Sequence, residues 1–542
     1  MSLSMLFALL SILAIAVAAQ VWSKYRSTRG LRNLPGPPSG SLIAGNLPQI
    51  YGPFAGSFRS QLIYQYGKVV RIAGLFGGSQ LLLSDVRALR NVLVENPDAY
   101  DSEDVLLALG RVTFGPGLVA TTGDRHRVQR KIIEPAFTGS NMRKFFPSLQ
   151  DLYMKLPQML SLKANSPSGG IVDVAALLGK LSLESIGIVC FNHSFHALEY
   201  NTDDFVLALE SYFPTLSKVQ HLIVFLPILL RWVPSAVLRK VGELLPWRTL
   251  RELFQIVDVL HRHSSTIHRD LKNTPSDRGP NLPSNRAGIK SLASVLMHTN
   301  EQAQDDDRMP DEEIVAHISV LLFTGTDTSA ALMSRILQLL SENPAAQDRL
   351  REELSSAEDL EYDTVMNLPY LDAIFKETLR MFPSVPLVTR QARVDTVIPF
   401  SEALRGRDGE DLHSVHVPKG TTIITDIAAV NLDETLWGED AKIWKPARWI
   451  EGIPASVINS RLPSAYSHLL TFLAGRRYCP GMNFAHILTK SAIAYLIRNY
   501  TFEPSGDEIV WRSSVVALPT VKGHDQPALT MRVTVVQRSY VL

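Results

Sequence analysis

The pattern of apolar and polar positions divides the chain into an apolar head, a short strand-rich stretch, a long helical middle and a mixed C-terminal part. Met1–Ser23 carries no charged side chain and is dominated by Leu, Ile, Val and Ala. About 20 such residues span a bilayer as a helix. Lys24, Arg26, Arg29 and Arg32 follow at once, and a basic flank of this kind stays cytosolic, with the body of the chain behind it. Ala16-Val17-Ala18 also resembles a signal-peptide cleavage site, but Met1–Met5 lacks the positive region that such a peptide carries. Leu34-Pro35-Gly36-Pro37-Pro38 makes a stiff break, because proline fixes φ and stops a helix. The expected organisation is an anchor over residues 1–23, a basic and Pro-rich hinge over 24–40 and a globular body over 41–542.

Within the body, Lys68–Ala73 and Gln80–Leu83 read as strands on either side of Gly77-Gly78. Apolar residues recur at helical spacing in Ser140–Phe146, Val172–Phe191 and Asp204–Tyr212. A long helix is predicted from Pro310, with Asp311, Glu312 and Glu313 at its positive end, to the stop at Asn343-Pro344. Its length is on the order of 50 Å. His221–Val233 is strongly apolar but short and broken by Pro227, so it is either an interfacial patch or core. Asn273–Arg286 reads as a surface loop. Thr421–Thr425, Val510–Val516 and Ala528–Val536 are strand-like. The fold class is mainly α with a smaller β-rich lobe.

Composition narrows the function. Apolar residues make up 46% of the 542 positions and charged residues 20%, which excludes a largely disordered chain. Lys+Arg (54) and Asp+Glu (53) nearly cancel, against the basic excess of a nucleic-acid binder. Only Cys190 and Cys479 are present, so a disulfide framework and a four-thiolate metal site are both excluded. Any soft-metal chemistry rests on a single sulfur.

Cys479 stands in Phe472-Leu473-Ala474-Gly475-Arg476-Arg477-Tyr478-Cys479-Pro480-Gly481, just before an apolar helix, Met482–Arg498. Glycines permit tight turns and close backbone approach to a large planar ligand. A helix N-terminus favours a thiolate and is expected to lower its pKa. Arg477 suits a ligand carboxylate. The residues alone allow a metal ligand, a nucleophile or a buried structural cysteine. The ten residues match Phe-x-x-Gly-x-Arg-x-Cys-x-Gly and resemble the haem-binding loop of the cytochrome P-450 superfamily, fungal microsomal type. The resemblance covers roughly residues 34–535. It implies a cytochrome P-450 fold behind an N-terminal transmembrane helix. It makes Cys479 the ligand of the iron of haem b, places Arg477 on a haem propionate and packs Phe472 beside the thiolate, with Gly475 and Gly481 shaping the loop. Leu488 falls near the place where the family often has Glu.

Three further segments gain meaning from this resemblance. Glu377 and Arg380 lie three apart on a predicted helix and can pair; with Arg448 of Pro446-Ala447-Arg448-Trp449 they resemble the family's buried structural ion network. Thr324-Gly325-Thr326-Asp327-Thr328-Ser329 puts a glycine and several threonines inside the long helix, where a local opening is expected. By itself this is a polar seam; by resemblance Asp327 and Thr328 are the acid–alcohol pair that delivers protons during oxygen activation. His126 and Arg130 lie four apart on one helix face and resemble the propionate-binding pair, with His in place of the common Trp. Arg390 resembles another propionate contact. Arg125, Arg127 and Lys131 either face solvent or form part of a docking face for an acidic electron-transfer partner.

The resemblance implies a monooxygenase in the endoplasmic reticulum membrane, single-pass, with a cytosolic catalytic domain. It would insert one oxygen atom into a lipophilic small molecule, in fungal secondary-metabolite or terpenoid biosynthesis. Electrons would come from NADPH through NADPH–cytochrome P-450 reductase, with cytochrome b5 as a second donor; no nucleic acid is expected. A haem-thiolate isomerase, dehydratase or peroxygenase, and a non-catalytic haem protein, are the rivals. The substrate pocket is expected near Leu106–Ala120, Tyr212–Leu226, Ile318–Thr324, Ser384–Val388 and Ala517–Pro519. Cys190, inside an apolar helix, is expected to be core.

Overall fold

The apolar stripes of the middle region fold as helices, each burying one face. A computed structural model of the chain describes residues 28–157, 160, 170–199, 204–273, 291–513 and 515–536. The expected anchor, residues 1–23, lies outside the described residues, as does nearly all of the expected loop after Asn273. The principal helices are α1 (Gly123–Ile133), α2 (Gly139–Tyr153), α3 (Val174–Phe191), α4 (Asp204–Ile223), α5 (Arg248–Asn273), α6 (Asp311–Glu342), α7 (Pro369–Met381) and α8 (Met482–Asn499). The protein is mainly helical with small sheets.

The long predicted helix is α6. Its 32 residues span about 48 Å at 1.5 Å per residue. It lies against α3, and the two backbones approach closely at Gly325, where an added Cβ would lie 2.7 Å from Ile186 Cδ1. The Ser182 hydroxyl donates to the Gly325 carbonyl across the same contact, at 3.2 Å. Both helices are long and apolar enough to cross a membrane, but 78% of the apolar window of α3 and 72% of that of α6 are buried inside the protein. They are core helices. Cys190 on α3 is part of that core.

The main sheet has five strands: β1 (Val69–Ala73), β2 (Ser79–Leu83), β3 (Tyr100–Asp101), β4 (Leu387–Ala392) and β5 (Thr422–Asp426), in the order β1-β2-β5-β4-β3. β2 and β5 run parallel, with Leu82 opposite Ile424. The other pairs are antiparallel, and β3 places Asp101 opposite Gln391. A continuous buried cluster joins this lobe to the helices, from Leu31 to Val533.

Three expectations change. Val172 is not helical: Ile171–Asp173 is a strand paired with Thr530–Val535, and Asp173 then caps α3 by accepting the Ala176 N–H. Val510–Val516 is not one strand but part of a hairpin, β6 (Ile509–Ser513) against β7 (Ala517–Val521). The apolar stretch ending at Val233 splits in two ways, since Ile228 is buried while Leu222 and Trp232 are exposed.

Candidate functional site

Cys479 sits between two short turns and α8. The 3-10 turn Gly475–Arg477 precedes it, and its N–H donates to the Phe472 carbonyl at 2.9 Å. Gly475 adopts φ 68°, and a Cβ there would lie 1.8 Å from the Leu93 carbonyl oxygen, so only glycine lets the loop sit on that segment. Phe472 is buried edge-on to Tyr466 and His486. The Cys479 thiol behaves differently from the sequence expectation. Burial pushes its pKa up, and the Gly481 N–H and the Arg130 charge, which pull it down, do not overcome that.

Four basic side chains gather beside the loop. Arg130 reaches it from α1, donating Nη1 to the Tyr478 carbonyl at 2.7 Å and lying 4.1 Å over the Tyr478 ring. Its Nε donates to Glu134 at 2.6 Å. Its Nη2 is buried without a partner. Arg477 donates Nη2 to the Thr121 carbonyl at 2.6 Å and pairs with Asp101. Arg390, on β4, is buried, and burial together with the Arg477 charge pulls its pKa down to about 10. His126 is also buried, and burial and then Arg477 pull its pKa to about 3, so it is neutral. A buried cation cluster with an orphaned guanidinium N–H fits an anionic ligand group.

On α6 the helix does not open. Thr324, Thr326 and Thr328 each donate to the carbonyl four residues earlier, at 2.6–2.7 Å, and the helix runs on. Their hydroxyls supplement the backbone ladder instead of replacing it. Asp327 is an unusual acid: burial, and then the charge of Glu210 on α4, raise its pKa from 3.8 to about 7. Ahead of it, Phe323 carries an aromatic cluster, with Tyr212 at 4.8 Å, Phe114 at 5.0 Å and Phe213 at 5.3 Å between ring centres. Ser384 donates to the Thr328 carbonyl at 2.9 Å and accepts the Ala517 N–H at 2.8 Å through its own carbonyl. These contacts bring the expected pocket segments at Phe114, Tyr212, Phe323, Ser384 and Ala517 together around α6.

Glu377 and Arg380 on α7 are fully buried and make a two-pronged pair at 2.8 and 2.9 Å. Arg380 also donates to the Asn431 and Ala441 carbonyls at 3.0 and 2.6 Å. Glu377 accepts from Trp449 Nε1 and the Lys445 N–H, both at 3.0 Å. Arg448 joins more loosely than expected, 3.6 Å from Glu377, and its hydrogen bonds go to Asp440 at 2.7 Å and the Trp437 carbonyl at 3.2 Å.

A family model described as cytochrome P-450 matches residues 35–522. The chain belongs to the cytochrome P-450 family. Cytochrome P-450 monooxygenase 212 of Postia placenta is 35% identical over 510 residues, covering 93% of each chain. Monooxygenase 81 of the same fungus is 36% identical over 513 residues, covering 94% of this chain and 93% of its own. A ganoderic acid synthetase of Ganoderma lucidum is 33% identical over 540 residues, 97% of this chain and 98% of its own. This P-450 is thus an oxidoreductase of the monooxygenase class, and its family implies a haem-thiolate cofactor.

Sequence reasoning missed several residues around this P-450 site. Asp101, Asp440 and Glu210 belonged to no motif, and only the folded chain brings them to their partners; Trp449 was read only as a motif position, not as a donor to Glu377. Arg125 was expected either to face solvent or to form part of a docking face. In the structure Arg125 binds Glu313 through two bonds of 2.7 and 2.8 Å, while Arg127 pairs with Asp124 on its own helix and Lys131 is exposed.

Proposed function

We propose that this P-450 is a membrane-anchored monooxygenase that uses haem b, held by Cys479, to oxidise a lipophilic small molecule. One observation carries the reading: the glycine-shaped Cys479 turn lies beside a buried cation cluster with an unsatisfied N–H. Iron in the bound haem would supply dioxygen activation. Arg130, Arg390, Arg477 and the neutral His126 would hold the haem carboxylates. Gly475 seats the loop on the Leu93 segment and Gly481 leads it into α8, and Phe472 would exclude water on the sulfur side.

Asp327, poised to gain or lose a proton near neutral pH, serves as the proton carrier. Thr328 is its neighbour in the relay. The aromatic cluster around Phe323 favours an apolar substrate, and the Thr113–Tyr212 hydroxyl pair, 3.0 Å apart, adds a single polar point. Similarity to a ganoderic acid synthetase supports a role in fungal secondary metabolism. Electrons come from NADPH through a separate reductase, with cytochrome b5 as a second donor, since the sequence carries no flavin or nicotinamide motif. The uncharged head before Lys24 supports single-pass anchoring in the endoplasmic reticulum with a cytosolic catalytic body.

The test is the visible spectrum of the reduced full-length protein under carbon monoxide. A thiolate-type Soret band is expected, and Cys479→Ala abolishes it. Absence of the band in the unaltered protein, or its survival in the variant, overturns the reading.

A further inference from the structure

The cation cluster contains one acid that no motif announced. Asp101 Oδ1 lies 2.5 Å from Arg477 Nε, with 19% of the Asp101 side chain and 14% of the Arg477 side chain exposed. Backbone pairing sets its place, because β3 holds Asp101 opposite Gln391, the neighbour of Arg390. The Asp101 carboxylate also accepts the Ser102 N–H at 2.7 Å, which fixes its orientation. The next two acids along are engaged elsewhere, Glu103 by the Thr422 hydroxyl and Asp104 by Arg393.

Arg477 is consequently held in place by the protein. Nε goes to Asp101, Nη2 to the Thr121 carbonyl, and Nη1 makes a long contact of 3.4 Å with the Leu118 carbonyl. Arg130 differs, since its Nη2 is buried with no partner. The acid beside Arg130, Glu134, is 40% exposed, so solvent screens its charge far more than that of Asp101.

Charge counting then has a simple outcome. Arg130, Arg390 and Arg477 bring three positive charges, and His126 brings none. Haem b brings two carboxylates. One cation is left over, and a buried cation without a counter-charge is costly. We propose that Asp101 is a positioning residue of the haem site. It fixes Arg477 and cancels the surplus charge, so that three guanidinium groups can face two haem carboxylates without an unpaired cation. This rests on the haem-thiolate reading above.

A fixed negative charge near the haem edge disfavours adding an electron to the iron. The experiment is a redox titration of full-length, haem-loaded protein without substrate, comparing Asp101→Asn and Asp101→Glu with the unaltered chain. Asp101→Asn is expected to raise the midpoint potential, and Asp101→Glu, which keeps the charge, to leave it near the original value. An unchanged potential in Asp101→Asn overturns the proposal, as does an equal shift in both variants. If Asp101→Asn loads too little haem to titrate, Arg477→Gln reads the same pair from the other side. It leaves Asp101 uncompensated, so the potential must fall; a potential that stays or rises overturns the proposal. Failure of the underlying haem-thiolate reading is separately visible, as a missing thiolate-type carbon monoxide band in the unaltered protein.

Discussion

Replacing Asp327 by Asn removes an acid that the fold shifts toward its protonated form. Burial and the Glu210 charge raise its pKa from 3.8 to about 7. The shift is upward for an acid, so the folded chain binds this proton more tightly than the unfolded chain does. Stability from this site is therefore fully present below pH 3.8 and is lost as pH rises to about 7. At about 1.4 kcal/mol per pH unit, the full loss is about 4 kcal/mol. Integrating the same two values, the cost is about 2 kcal/mol at pH ~5.5 and about 4 kcal/mol at pH ~8.5. The amide that replaces the acid does not titrate, so the variant should gain about 2 kcal/mol on the original protein across that interval. Urea unfolding of haem-loaded protein at both pH values, with equal m, measures the gap. Two stability curves that stay parallel would refute the argument, because they would mean that Asp327 does not carry the raised pKa. Turnover should fall in the same variant, since an amide cannot pass on the proton.

Two further outcomes follow from the supporting framework. Arg380→Met strands the fully buried Glu377 carboxylate and should cost roughly 3–5 kcal/mol, while the double variant Glu377→Leu, Arg380→Met should recover much of the loss; thermal denaturation of all three proteins decides it. Gly475→Ala meets the Leu93 carbonyl at 1.8 Å and needs a left-handed backbone, a strain of about 1–3 kcal/mol before any clash is counted; the haem-to-protein absorbance ratio should drop, and full haem loading would show that the loop is free to move.

How much of this was legible in the sequence varies with the distance between partners. Glu377 and Arg380 were readable because one helical turn separates them, and a helix brings positions three apart onto one face. The Cys479 turn was recognisable as a motif because its glycines and its sulfur fall within ten residues, although the residues alone left a metal ligand, a nucleophile and a core cysteine open. Arg448 was placed beside Glu377, where it lies at 3.6 Å, but Asp440, which receives its shortest bond, belonged to no motif. The strand at Ile171–Asp173 was hidden because its partner, Thr530–Val535, lies at the other end of the chain. Periodicity within a window has no access to such pairing.

The sequence by itself limited any soft-metal chemistry to a single sulfur, and it set Cys479 in a glycine-bearing turn. It also set the long α6, its acid and its alcohol, and the apolar character of the region around them. The tertiary structure decided how those groups behave. It partly buried the Cys479 thiol and so raised its pKa, against the pull expected from the helix N-terminus. It left α6 unbroken, with its threonine hydroxyls bonded back to carbonyls of the same helix, and brought the Asp327 pKa close to neutrality by desolvation. It also set Asp101 against Arg477 from a strand remote in sequence. The reason is common to all of these. Residue type and spacing fix which chemistry is possible, but dielectric surroundings and long-range charge pairing exist only once the chain has closed on itself.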